Sequence, residues 1–256
     1  MDNIKLVKDA NVLEVILNRP DKRNSFNPAM IQELTKAFSD VGDARVVLLR
    51  GEGPSFCTGA DLDWMKSVKN FSLEENKKDS ETLYKMFETL KNCPVPVIGQ
   101  VHGHVMGGAL GLLALCDIAA AEKGTQFCFS EVKLGLVPAV ISPFILGKVA
   151  VGRARRWMLT GEIFGAEQAE RDGLVNFVGD EAAVKTFIKT AVDQFKKLGP
   201  LAVKDTKYLL ANMHQWPEEK RFKETTRIIA ERRVSDEGQE GLASFQEKRS
   251  PSWHLK

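Results

Sequence analysis

Apolar positions along the chain follow two rhythms. Short runs of valine, isoleucine and leucine alternate with longer segments in which apolar residues recur every three or four positions. "NVLEVILNRP" (11–20) is apolar and β-branched and stops at a proline, which predicts a strand. "DKRNSFNPAM" (21–30) predicts a loop, with Asn27 placed to cap the next helix and Pro28 at its first position. "AMIQELTKAFSDV" (29–41) has helical periodicity. "ARVVLLRGEG" (44–53) predicts a second strand, ended by Gly51, Gly53 and Pro54, and "PSFCTGADLDWMKS" (54–67) a glycine-containing loop. "ETLYKMFETLKNC" (81–93) sets Leu83, Met86, Phe87 and Leu90 on one helical face. "PVPVIGQVHG" (94–103), "CDIAAAE" (116–122) and "TQFCFSEV" (125–132) predict three more strands.

Strands alternating with helices over roughly the first 190 residues imply an α/β fold. Beyond Gly199 the rhythm changes. "KDTKYLLANM", "EKRFKETTRIIAERRV" and "QEGLASFQEKR" predict helices whose apolar stripes need a partner, and no strand is expected there. The domain expectation is therefore a core over 1–195 and a helical C-terminal region over 196–256. No repeat or low-complexity segment interrupts either part.

Composition removes several classes of function. The chain has 256 residues, 43% of them hydrophobic and 27% charged, which is enough apolar material for a sizeable core. Its 36 basic and 34 acidic residues leave a net charge of +2, so no electrostatic case exists for nucleic acid or a membrane as partner. Cys57, Cys93, Cys116 and Cys128 form no CxxC pair and have no histidine cluster beside them, so neither a metal site nor a disulfide framework is expected. "MDNIKLVKDA" does not have the pattern of a secretory signal, and the apolar run Val105–Cys116 is too short to span a bilayer. A cytoplasmic location is expected.

Candidate chemistry lies where the sequence repeats one shape: strand, glycine loop, helix. "GADLDWMKS" follows "VVLLRGEGPSFCT", and "GGALGLLALC" follows "PVIGQVHGHVM". Each opens a helix, where backbone N–H groups lack internal partners and the helix dipole favours negative charge. If the two starts converge, the N–H groups of Ala60 and Gly108 would polarise an oxygen. Spacing alone also fits tight turns and close helix packing. Neither strand is followed by a Walker A or GxGxxG motif, so no phosphate or dinucleotide cradle is indicated.

Six ordered segments resemble the crotonase family, the enoyl-CoA hydratase/isomerase superfamily. They are "ILNRPDKRNSFN" (16–27), "FCTGADLDWM" (56–65), "GHVMGGALGLLALCDIAAA" (103–121), "FCFSEVKLGLVPA" (127–139), "RRWMLTGEIFGAEQAERDGLVN" (155–176) and "SDEGQEGLASFQEKRSPSW" (235–253). The resemblance implies an α/β spiral of ββα units, a helical C-terminal region, and homotrimers or hexamers built from them. It also implies an acyl-CoA substrate. Coenzyme A then arrives as part of the substrate, and no separate cofactor is expected. The thioester oxygen would sit between Ala60 and Gly108, beside Gly107, and Glu131 matches one of the family's two catalytic glutamates. The second glutamate is missing, because its position is Gly111.

Taken alone, that absence favours an isomerase, which can move a proton with one carboxyl. "VKLGLVPAVISPFILGKV" pulls the other way, since it resembles bacterial methylglutaconyl-CoA hydratase-type members that also carry glycine there. A hydratase for a short, branched enoyl-CoA is the leading expectation. A single-glutamate isomerase and a non-catalytic acyl-CoA-binding homologue are the alternatives. Asp61, Leu62, Gly107, Gly111, Pro138 and Ser142 are the further substrate-binding expectations, with the backbone near Ala60–Leu62 against the adenine and Gly111 either making room for a branched acyl group or water, or packing a helix. By resemblance, Lys22, Arg23 and Ser25 line the coenzyme A entrance, and Phe245 and Lys248 reach a neighbouring subunit's ligand. In the hydratase reading Glu131 works with a water held by other groups: Ser142 is a candidate, or else a turn residue, and His102 and His104 stand close in sequence as further candidates or as packed or exposed histidines.

Overall fold

The computed structural model describes residues 1–9 and 11–255. Its elements run β1 (Ile4–Asp9), β2 (Val12–Leu17), α1 (Pro28–Ser39), β3 (Val46–Gly51), α2 (Leu62–Ser67), α3 (Leu73–Lys91), β4 (Val97–Val101), β5 (His104–Met106) and α4 (Ala109–Leu115). They continue as β6 (Ile118–Glu122), β7 (Gln126–Cys128), α5 (Ser142–Leu146), α6 (Val151–Thr160), β8 (Phe164–Gly165), α7 (Ala166–Arg171), β9 (Phe177–Gly179) and α8 (Glu181–Phe195). Three helices close the chain: α9 (Pro200–Asn212), α10 (Glu218–Val234) and α11 (Asp236–Gln246).

Two sheets organise the α/β part. The larger has the order β1-β2-β3-β4-β6-β9, with β1 antiparallel and every other pair parallel. The smaller has the order β5-β7-β8. β3 opens on four consecutive apolar residues, Val46–Leu49, because that part is covered on both faces. Val47 and Leu49 join the main core, whereas Val46 and Leu48 pack under α8 with Ile98, Ala120, Val184 and Ile188. The two-residue period of a strand thus feeds two separate cores.

β1 carries no legible signal in the sequence. It is an edge strand of which only Ile4 is buried, and its other apolar residues, Leu6 and Val7, face solvent. α3 begins eight residues before the predicted segment, because Ser72 and Glu75 form a reciprocal capping box at its start. The strand predicted over 125–132 is shorter than expected. β7 ends at Cys128, and Glu131 opens a 3-10 turn, Glu131–Leu134.

The helices α9–α11 lie apart from both cores. α9 has no fully buried residue, and Phe222 and Val234 of α10 are 70% and 78% exposed. Lys207 ties α9 to the α/β part, pairing with Asp117 at 2.7 Å and donating to the Val95 carbonyl at 2.8 Å, and Glu237 of α11 holds the start of α9 by accepting from the N–H groups of Leu201 and Ala202. Among the described residues no helix is long and apolar enough to cross a membrane.

Candidate active site

The two glycine loops meet. An isolated parallel bridge pairs Cys57 with Val105, held by Cys57 N–H donating to the His104 carbonyl and Met106 N–H to the Cys57 carbonyl. Three residues further along both chains stand Ala60 and Gly108. Gly59 has φ +85°, and a Cβ there would lie 2.9 Å from the Met106 carbonyl oxygen. Only glycine allows that approach. A second parallel ladder pairs Met106 with Cys128, so Gly108 and Ser130 are both two residues past the last pair. Three loops therefore emerge side by side from a common register.

Among the described residues neither Ala60 N–H nor Gly108 N–H has an acceptor. Their neighbours do: Phe26 N–H donates to Gly59, Asp61 N–H to Phe26, and Gly107 N–H to Cys128. Both free N–H groups belong to residues lining one cavity of about 600 Å³, together with Glu131. Glu131 is half-buried; its Oε2 is buried and, among the described residues, has no hydrogen-bond partner. A methyl placed on Gly107 would lie 3.3 Å from Glu131 Oε1, so the carboxyl stands over the glycine pair. Burial pushes its pKa above the ordinary carboxylate value of 4.5, outweighing a backbone hydrogen bond that lowers it.

Lys22, Arg23, Ser25, Asp61, Leu62 and Gly107 line the same cavity. Asp61 is there for a structural reason. Its Oδ1 caps α2 by accepting from Asp63 and Trp64, and its Oδ2 accepts from Arg19 at 2.9 Å. Burial would raise this carboxyl, but the backbone N–H groups and the Arg19 guanidinium hold it below its ordinary range. The carboxylate is thus already committed to the start of α2 and to Arg19, while the residue itself still lines the cavity. Lys22 is paired with Asp63 at 3.2 Å in solvent.

Three expected substrate contacts lie outside the cavity. Gly111 is buried in α4, where an added Cβ would meet Ile141 Cγ2 at 2.6 Å and Phe87 Cε1 at 2.8 Å. Two apolar side chains fill the space of the missing glutamate, so Gly111 packs a helix and leaves no room there for acyl group or water. Ser142 donates to the Pro138 carbonyl at 2.6 Å in the first turn of α5, and Pro138 is buried. Phe245 and Lys248 line none of this chain's cavity, and Phe245 is 84% exposed. The histidines are structural: His102 Nε2 bonds the Gly53 carbonyl, and His104 Nδ1 meets Ser55 Oγ. All four cysteines are buried free thiols, and burial pushes Cys57 and Cys116 up to about 12.

Sequence reasoning missed part of the lining, notably Met65, Lys66, Ser130, Leu134 and Leu136. Each is a single residue whose place depends on the turn around it. Only Ser130, adjacent to Glu131, was within reach. Among the described residues no group of three or more His, Cys, Asp or Glu is arranged to hold a metal.

The profile of the enoyl-CoA hydratase/isomerase family matches residues 7–256. The chain belongs to this family. An enoyl-CoA hydratase from Shewanella pealeana superposes with a TM-score of 0.93 at 36% identity, covering 98% of this chain and 96% of that one. AtuE of Pseudomonas aeruginosa gives a TM-score of 0.95 at 31% identity over 99% of this chain and 100% of its own. The enoyl-CoA isomerase/hydratase fer4 of Mycosarcoma maydis is 29% identical over 257 residues, covering 94% of this chain and 91% of that protein. Family membership makes an acyl-CoA the consistent ligand of the cavity and the crotonase fold the frame that builds it.

Proposed function

We propose that the chain is an enoyl-CoA hydratase. It adds water across the 2,3 double bond of a short, branched enoyl-CoA, of which 3-methylglutaconyl-CoA is the type. The observation that carries this reading is the unpartnered Glu131 carboxyl in the same cavity as two N–H groups without acceptors. The thioester oxygen lies between Ala60 and Gly108. Ionised Glu131 takes a proton from water as the hydroxide oxygen bonds to C3. The C2–C3 π electrons move toward the thioester, and the charge collects on its oxygen as an enolate. Protonated Glu131 then returns the proton to C2. The two N–H groups bind the enolate more tightly than the ground-state carbonyl, and losing one such donor costs roughly 3–4 kcal/mol of barrier. Lys22, Arg23 and Lys66 supply cations for the anionic groups of coenzyme A.

A single-glutamate isomerase is the second reading. It is favoured by Phe87 and Ile141 occupying the place of a second carboxyl. The exposed apolar residues of α9–α11 support assembly of copies into trimers or hexamers, with Phe245 and Lys248 serving a neighbour's ligand.

The test incubates the protein with crotonyl-CoA, 3-methylcrotonyl-CoA and 3-methylglutaconyl-CoA and follows loss of the conjugated thioester absorbance. Glu131→Gln should lose turnover by on the order of 10²- to 10⁴-fold while still binding the ester. Hydration of the wild type should be slowed by acid at a pH above 4.5, because the base must be ionised. Gain of conjugation from 3-enoyl-CoA esters with no hydration would establish the isomerase instead. Tight binding without any turnover would leave an acyl-CoA-binding protein.

A further inference from the structure

Water needs a second hold besides Glu131, and the cavity has few groups to offer. Asp61 is committed to Arg19 and the start of α2, and Asp63 to Lys22. Thr58 Oγ1 donates to the Arg23 carbonyl. Ser25 sits on the loop carrying the cations Lys22 and Arg23. Ser130 differs from all of these. It immediately precedes Glu131, it lines the cavity, and it is half-buried.

Ser130 also occupies the N-cap position of the turn Glu131–Leu134, where a serine ordinarily bonds its own helix. Here the hydroxyl makes no capping bond, and among the described residues it has no hydrogen-bond partner. A methyl on Gly107 would lie 3.5 Å from Ser130 Oγ and 3.3 Å from Glu131 Oε1, so both oxygens look onto one point above the glycine pair. The β5–β7 register puts Ser130 level with Gly108.

We infer that Ser130 Oγ holds the water that Glu131 activates, standing in for the carboxyl that Gly111 and its apolar neighbours exclude. Its hydroxyl donates to the water oxygen, leaving one water proton aimed at Glu131. That proton passes to the carboxylate as oxygen bonds to C3, and Glu131 delivers it to C2. Ser130 itself gains and loses nothing. This inference rests on the hydratase reading.

The test compares two reactions of the same site. Hydration needs the held water. Exchange of the C2 hydrogens of butyryl-CoA with D₂O needs only Glu131 and the two N–H groups. Ser130→Ala should lower kcat for hydration on the order of tenfold to a hundredfold, the range of one hydrogen bond to a charging group. Exchange and KM should change far less, and Ser130→Thr, which keeps the hydroxyl, should restore hydration. Equal loss of both reactions, or hydration unchanged in Ser130→Ala, overturns the inference while leaving the hydratase reading intact. A wild type that exchanges C2 hydrogens but hydrates no ester overturns both.

Discussion

α2 and α4 both start at the cavity, and both leave one backbone N–H without an acceptor at that start. They are held there by opposite means. α2 is a short surface helix in which only Trp64 is buried, and its first turn is fixed by the Asp61 carboxylate. α4 has no side-chain cap at its start, yet every residue from Ala109 to Ala114 is buried. Its other end is closed by the buried amine of Lys148, which donates to the Cys116 carbonyl at 2.6 Å. Burial pushes that amine below its ordinary pKa. One donor is placed by a polar terminus and the other by packing. Removal of charge should damage the first, and added volume the second.

Asp61→Ala should give the largest effect on stability. It leaves Arg19 without its carboxylate at a site where the two side chains are 16% and 7% exposed. Breaking a pair so shielded costs about 3–5 kcal/mol, read as a fall in the denaturation midpoint. Because Asp61 titrates below its ordinary 3.8, its contribution is present above that pH and is lost as pH falls through the lower folded-state value. The gap between wild type and variant should therefore close only in strong acid. A gap already closed near pH 5 would show that the pair does not hold α2.

Gly111→Ala should come next, at about 1–3 kcal/mol of overpacking, measured by thermal unfolding. The added methyl must displace Ile141 and Phe87. A Gly111→Ala cost that shrinks in an Ile141→Ala background, which removes the crowding Cγ2, would locate the strain there. A neutral or stabilising Gly111→Ala would break the comparison, since α4 would then have slack.

The smallest effect belongs to the group both helices face. Glu131→Gln should raise the melting temperature at pH 7. The folded-state pKa is above 4.5, so ionisation penalises the native state more as pH climbs through that window. Below 4.5 the two proteins should melt together. A gain in stability that persists there would point to a cause other than the buried charge.

The sequence makes the central parallel strands legible because both their faces are buried and they read as apolar runs. The edge strand β1, with one buried residue, does not stand out, and β5, β8 and β9 are too short to show a period. At the site, Gly59 and the Gly107–Gly108 pair, each just ahead of a helix, mark Ala60 and Gly108, and the resemblance marks Glu131. The pairing of Arg19 with Asp61 joins residues 42 apart, and the filling of Gly111 by Phe87 depends on two helices crossing. Neither is a local property of the chain. That is why Gly111 is read from sequence as a ligand contact and is found packed inside the fold, and why the structural role of the Asp61 carboxylate is not legible in the sequence.

The common register of the three loops bears on how this protein can change over generations. Two of the groups assigned to the proposed reaction are main-chain N–H groups, so no exchange of one side chain for another, proline excepted, deletes them outright. What they require is that the Cys57–Ala60, Val105–Gly108 and Cys128–Ser130 segments keep the same count of residues beyond their bridges. Point substitutions can retune the carboxyl, the hydroxyl and the walls one at a time. A single-residue insertion or deletion in any of the three segments would put them out of step at once.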